Sequence, residues 1–227
     1  MAIKYYLYIS ETKVEMLFAQ IPRTFLSGLS AELKVNLGLL STTLKQDADQ
    51  ETKFAKLTAV VRFLEENEPL GTVDQPESYF KGQMSMTWGP YETFNYRAKG
   101  PSPLVYFGGE TDRTIVGLGG SSQNMIGAPG RSSAHSHSAT PVMVARIYEG
   151  LELPIPENEK AFHWVGKENS GMVAMAVDLA TSQMEGAKEK VEFFARRLAF
   201  YPSGAHHAHR RDMNILLGTP LYVALAE

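Results

Sequence analysis

PLVYFGGETDRTIVGLGGSS, residues 103–122, decides how the fold is read. Two runs rich in β-branched and aromatic residues stand on either side of GGETDR, whose polar and glycine residues suit a hairpin turn. Upstream, YFKGQMSMTWGPY (79–91) is a third run of the same kind, set off by further turn residues. Three such runs in succession predict an antiparallel meander.

The two ends of the chain extend that sheet. IKYYLYIS (3–10) is a strand that stops at Ser10, a good helix N-cap. Val14, Leu17, Phe18 and Ile21 then follow at helical spacing and Pro22 closes a helix near 11–21. The chain ends in MNILLGTPLYVALAE, a strand interrupted by Gly218 and Pro220. Both terminal strands are too apolar to stand as exposed edges, which places them in one sheet.

Between these strands the periodicity changes. Phe54, Leu57, Val60, Val61 and Leu64 form one apolar stripe with charges opposite, predicting a helix over 50–66. ELKVNLGLLSTTLK (32–45) alternates Leu33, Val35, Leu37 and Leu39, which predicts a half-buried strand with Gly38 at a bulge. GAPGRSSAHSHS (127–138) reads as an exposed loop, and Thr140 with Pro141 opens a helix over 140–150. SGMVAMAVDLATSQMEGAKEKVEFFARRLAF (170–200) reads as two helices broken at Gly186, the second over 187–199 with Val191, Phe194, Ala195 and Leu198 on one side. A strand over MVAMAVDLA competes with the first of them. The sum is an α+β fold, residues 1–227 as a single domain, with an antiparallel-dominated sheet packed by several helices.

Composition narrows the function classes. At 227 residues with 44% hydrophobic and 21% charged residues, the chain has a globular composition and is long enough to bury a substantial core. Lys and Arg total 22 against 25 for Asp and Glu, so no basic excess supports general nucleic-acid binding or an anionic membrane surface. There is no cysteine, which removes disulfides, thiolate metal sites and a Cys nucleophile. MAIKYYLYISETKVEMLF lacks the apolar core of a signal peptide, and no run approaches the roughly 18 apolar residues of a membrane span. A soluble, cytoplasmic protein is expected.

Chemistry concentrates in two histidine groups. HSH holds His135 and His137, and GAHHAHRRD (204–212) holds His206, His207 and His209. An H-x-H pair on extended backbone points both rings to one side, so two such pairs could supply ligands to a divalent transition metal, with Asp212 as a carboxylate ligand. The competing reading is two sets of solvated loop histidines. Arg210 and Arg211 adjoin them and could bind a small anionic ligand through forked hydrogen bonds, whereas Arg196 and Arg197 read as the solvated face of a helix. The acidic residues show no isolated pair in an apolar setting.

The remaining motifs are weaker. VGLGGSS could cradle an anion on backbone amides near Ser121 and Ser122, but it has neither the Lys-Ser/Thr of a phosphate loop nor a glycine at its sixth position. It reads better as a tight turn, with positive φ at Gly119 or Gly120 and Ser121 or Ser122 capping a short helix. Ser136 and Ser138 lie in no G-x-S-x-G elbow, and Trp88 and Trp164 read as core or rim aromatics.

Four blocks, YYLYISETKVEMLFAQIP, VGLGGSSQNMIG, VEFFARRL and LLGTPLYVAL, spread in this order over nearly the whole chain. Together they resemble a family of uncharacterised bacterial proteins, frequent in actinobacteria, that is defined as a domain of unknown function. The resemblance implies a single domain and carries no reaction, cofactor or catalytic residue. Two readings of function follow. In the one the residues favour, a His/Arg-lined polar site binds a small anionic ligand or a metal and can support acid–base or metal-assisted catalysis. In the other, a non-catalytic binding or assembly protein contacts a partner protein or a second copy of itself through its loops.

Overall fold

Residues 4–37, 48–90, 104–127, 170–206 and 208–226 are described in the computed structural model of the chain. Contacts divide the chain into two units, residues 10–70 and residues 1–9 with 71–227.

The first unit is helical: α1 (Glu11–Phe18), α2 (Arg23–Ser27), α3 (Ala31–Asn36) and α4 (Ala48–Asn67). The stripe foreseen on α4 buries Leu57, Val60 and Leu64, while Val14 is buried on α1. Phe25 meets Phe63 edge-on at 5.0 Å. On the α1–α4 seam Lys53 pairs with Glu11, and Lys56 Nζ lies 2.8 Å from Glu15. These exposed pairs orient the helices more than they stabilise them.

The strand expected over 32–45 is corrected for its first part. Ala31–Asn36 is helix, because Ser30 Oγ accepts the Leu33 N–H at 3.3 Å and Glu32 sits in the first turn. Leu33 and Leu37 satisfy a four-residue helical spacing as well as an alternating one, so the cap decides. Residues 38–45 lie outside the described residues.

Burial pushes the Lys13 ammonium down to about 8 from its ordinary 10.5. The folded unit therefore releases this proton while the unfolded chain still holds it, so stability rises with pH between about 8 and 10.5 and the burial penalty is fully present below that window. Lys13→Met is expected to flatten this alkaline rise. A melting temperature unchanged at both ends of the window would show that Lys13 is solvated.

The second unit contains β1 (Tyr6–Ile9), β3 (Tyr79–Pro90), β4 (Leu104–Glu110), β5 (Thr114–Ser121), α5 (Ser170–Gln183), β6 (Glu189–Tyr201) and β7 (Asn214–Leu225), and the two-residue β2 (Leu70–Gly71) falls where the chain passes from one unit to the other. The foreseen meander is present: β3 pairs β4 and β4 pairs β5, both antiparallel, with the turn closed by the Thr111 N–H on the Thr114 carbonyl at 2.9 Å. The terminal strands also meet, Tyr6 opposite Ala224 and Ile9 opposite Tyr222.

The antiparallel-dominated sheet is corrected to a mixed sheet closed on itself. β7 returns parallel to β5, β6 bridges β7 to β3, and the ring β3-β4-β5-β7-β6 is a five-stranded barrel. A parallel neighbour requires a long crossover, and the segment between β5 and β7, containing α5 and β6, provides it.

Residues 187–199 are corrected in the same way. They form most of β6, and the first of the two predicted helices, α5, stands alone. Val191, Phe193 and Ala195 point into the barrel at period two, while Phe194 is buried on the outer side 6.0 Å from Tyr79. The helical stripe read from Val191, Phe194, Ala195 and Leu198 mixes both faces of a strand whose alternation is broken by register shifts between Phe194 and Ala195 and between Arg197 and Ala199. β7 runs unbroken through Gly218 and Pro220, because the register slips between Phe194 and Ala195 where Pro220, lacking an N–H, faces β6.

GLGGS, residues 117–121, is strand rather than turn. Among the described residues positive φ occurs at Gly127, Gly186 and Gly204, and not at Gly119 or Gly120. What requires glycine is space: a Cβ on Gly120 would stand 2.3 Å from Tyr8 Oη, and one on Gly117 equally close to Tyr106 Oη. The barrel interior is filled by Phe80, Met86, Phe107, Leu118, Phe193 and Val223. A second core forms outside it, where α5 lays Val173, Ala174 and Val177 over Leu104, Ile115 and Leu217. Among the described residues no helix is long and apolar enough to cross a membrane.

Candidate functional site

GAHHAHRRD lies in the connection from β6 to β7, and its described residues divide between anchors and exposed positions. His206 and Ala208 are buried and Arg210 is half-buried, whereas His209, Arg211 and Asp212 are exposed. The backbone closes on itself, with the Gly204 N–H donating to the Arg211 carbonyl at 2.7 Å and positive φ at Gly204 making the turn.

His206 pins the loop from inside. Its Nδ1 accepts the Ala208 N–H at 3.3 Å, which requires Nε2 to carry the proton, and Nε2 donates to the Met213 carbonyl at 2.8 Å. Both ring nitrogens are thereby engaged within the loop. Ala208 joins the core beneath α5.

Arg210 ties the loop to two other elements. Its Nε donates to Asp178 Oδ1 at 2.7 Å, its backbone N–H to Asp178 Oδ2 at 3.1 Å, and its Nη1 to Glu110 at the end of β4. Asp178 is 2% exposed on α5, so this is a desolvated carboxylate with both oxygens occupied. Burial works against the Arg210 charge, but the hydrogen bonds to Asp178 and Glu110 outweigh it and raise the guanidinium above its ordinary value. Arg210 Nη2 is buried and meets no acceptor among the described residues.

A second polar node braces the same end of the barrel. Asp74 Oδ1 accepts from Thr111 Oγ1 at 2.7 Å and Thr114 Oγ1 at 2.8 Å, and Asn214 Nδ2 donates to Thr114 Oγ1 at 3.3 Å. These bonds fix the β4–β5 turn against the start of β7, beside the loop.

The other expected site residues are dispersed. Ser121 ends β5, and Ser122 opens a short 3-10 helix for which the Ser121 side chain makes no capping bond. Because Thr114 pairs with Asn214, Ser121 stands at the far end of β5, about 23 Å of strand from the loop. The structure therefore does not gather Ser121 and Ser122 with Arg210 and Arg211. Arg197 is committed elsewhere, its Nη1 donating to the Pro76 carbonyl at 2.7 Å. His135, His137 and His207 lie outside the described residues, and among the described residues no group of three or more His, Cys, Asp or Glu is placed to hold a metal.

Two residues that matter here, Asp178 and Glu110, escaped the sequence reading. Asp178 did leave a signal, a lone carboxylate in the apolar run MVAMAVDLA, although its partner lies 32 residues away. Glu110 in GGETDR left none.

Comparison with known proteins gives one match: the model of a family of unknown function (DUF7019) matches residues 4–227. No curated protein and no solved structure matches the chain.

Proposed function

The chain belongs to that family of unknown function, from which no activity is inherited, and we propose that it is a non-catalytic binding or assembly protein that meets its partner through the β6–β7 loop and the adjoining β4–β5 turn. The observation that carries this reading is the engagement of the loop's chemical groups in its own architecture. Both nitrogens of His206 and two nitrogens of the Arg210 side chain serve to hold the loop, and a group so held is a poor ligand, acid or base. His209, Arg211 and Asp212 are exposed and offer contact, and among the described residues no group of three or more His, Cys, Asp or Glu is placed to hold a metal. The partner is a protein or a second copy of this chain, in a soluble, cytoplasmic setting. A bacterial origin, as the resemblance implies, is part of the same proposal.

One observation favours the alternative, a small anion at Arg210, because Nη2 lacks an acceptor among the described residues. The local pairing opposes it: the Arg210 charge is already shared between two carboxylates, Asp178 and Glu110, which leaves less of it for an incoming anion. Calorimetric titration of untagged protein with Zn²⁺ and, separately, with inorganic phosphate decides between the readings. Neither is expected to give a saturable heat. One-to-one binding of Zn²⁺ that disappears in His209→Ala, or of phosphate that disappears in Arg210→Lys, would overturn the proposal in favour of a metal or anion site.

A further inference from the structure

Numbered along the chain, the barrel strands β3, β4, β5, β6 and β7 close in the order first, second, third, fifth, fourth and back to first. Every neighbouring pair is antiparallel except the third and fifth, which are parallel. The long first strand pairs the fourth through Tyr79–Met86 and the second through Met86–Pro90, and a helix, α5, falls in the chain between the third and fourth. This is the Greek-key connectivity of OB-type barrels, which take oligonucleotides and oligosaccharides on the outer face of the second and third strands, flanked by the first–second and fourth–fifth loops.

That face has a different occupant in this chain. The outward residues Leu104, Tyr106 and Ile115 are at most 3% exposed and pack with α5. The helix lies close: a Cβ on Gly108 would stand 3.2 Å from the Cα of Thr181. Tyr106 Oη, an aromatic hydroxyl that could meet a ligand, instead donates to the Val177 carbonyl at 3.2 Å and lies 2.8 Å from Thr181 Oγ1. Apart from Glu110 the outward positions of these two strands carry Leu, Tyr, Gly, Ile and Ser, with no cation for a phosphate backbone. The fourth–fifth loop, GAHHAHRRD, is itself fastened to α5 through Asp178 and Arg210.

We infer that this is an OB-type barrel whose ligand face has become hydrophobic core, with α5 as its permanent occupant, so that the β4–β5 face takes neither single-stranded nucleic acid nor a sugar chain. The inference rests on the barrel and α5 alone and stands whether or not the β6–β7 loop binds a partner. Amide hydrogen exchange on the full chain tests it, alone and with an oligothymidylate of about 15 nucleotides at low salt. The α5 amides are expected to exchange in the slowest class together with those of β4 and β5, and to be unchanged by the oligonucleotide. Exchange of α5 about 100-fold faster than β5 would make the helix a displaceable lid and overturn the inference. So would oligonucleotide binding that alters exchange in α5 or in β4 and β5. Binding that leaves those three elements unchanged would place the nucleic acid elsewhere and uphold it.

Discussion

Leu217→Asp is expected to abolish the folded barrel or to lower its stability by about 4 kcal/mol or more. Leu217 is fully buried, pairs with Gly117 on one side and Ala199 on the other, and packs in the core beneath α5. A carboxylate there would be buried among the apolar side chains of that core, and it forfeits about 2 kcal/mol of leucine burial besides. Against a typical domain stability of roughly 5–15 kcal/mol, that loss leaves little. Leu7→Asp is the control, since Leu7 is only partly buried and belongs to the four-residue β1, where about 1–2 kcal/mol is expected. Urea midpoints measure both. A Leu217→Asp protein as stable as the parent would mean that β7 does not lie under α5.

The contrast between those two leucines also shows what the sequence could disclose. That the chain's first and last strands share a sheet was legible, and β1 pairs β7, but the argument from edges holds only for NILLGTPLYVAL: β7 is interior, while β1 ends the strand order of the sheet. The meander of β3, β4 and β5 was legible from composition and turn residues. Closure was not. Whether β7 returns beside β5 in parallel, and β6 beside β3, depends on pairing partners about 100 residues apart, which no local period encodes. β6 failed for a related reason: register shifts against β7 break its alternation, so VEFFARRL imitates a helical stripe until its pairing is known. For the loop, the sequence drew attention to the right nine residues, GAHHAHRRD, but assigned Arg210 to a ligand. Its carboxylate partners come from a helix and a hairpin remote in the chain, and only the fold brings them to it.

Arg210 and Asp178 should therefore behave asymmetrically when each is removed. Arg210→Ala leaves a 2% exposed carboxylate with no countercharge and is expected to cost about 3–5 kcal/mol. Asp178→Ala leaves a guanidinium that is about one-third exposed and keeps Glu110 as partner, so about 1–3 kcal/mol is expected, part of it from the stranded Arg210 backbone N–H. Glu110→Ala, at an exposed position, should cost less than about 1 kcal/mol. The double variant Asp178→Ala/Arg210→Ala should be markedly less destabilised than the sum of its parts, by a coupling of about 1–3 kcal/mol, because the second change removes the charge that the first left unpaired. Urea unfolding of the four proteins supplies every term of the cycle. Equal and additive single effects would reduce the pair to a surface ion pair. Trypsin adds a readout of the loop itself: with the Asp178 anchor gone, cleavage after Arg211 should accelerate by at least about tenfold under native conditions, whereas a purely global effect on stability would speed cleavage at all exposed sites together.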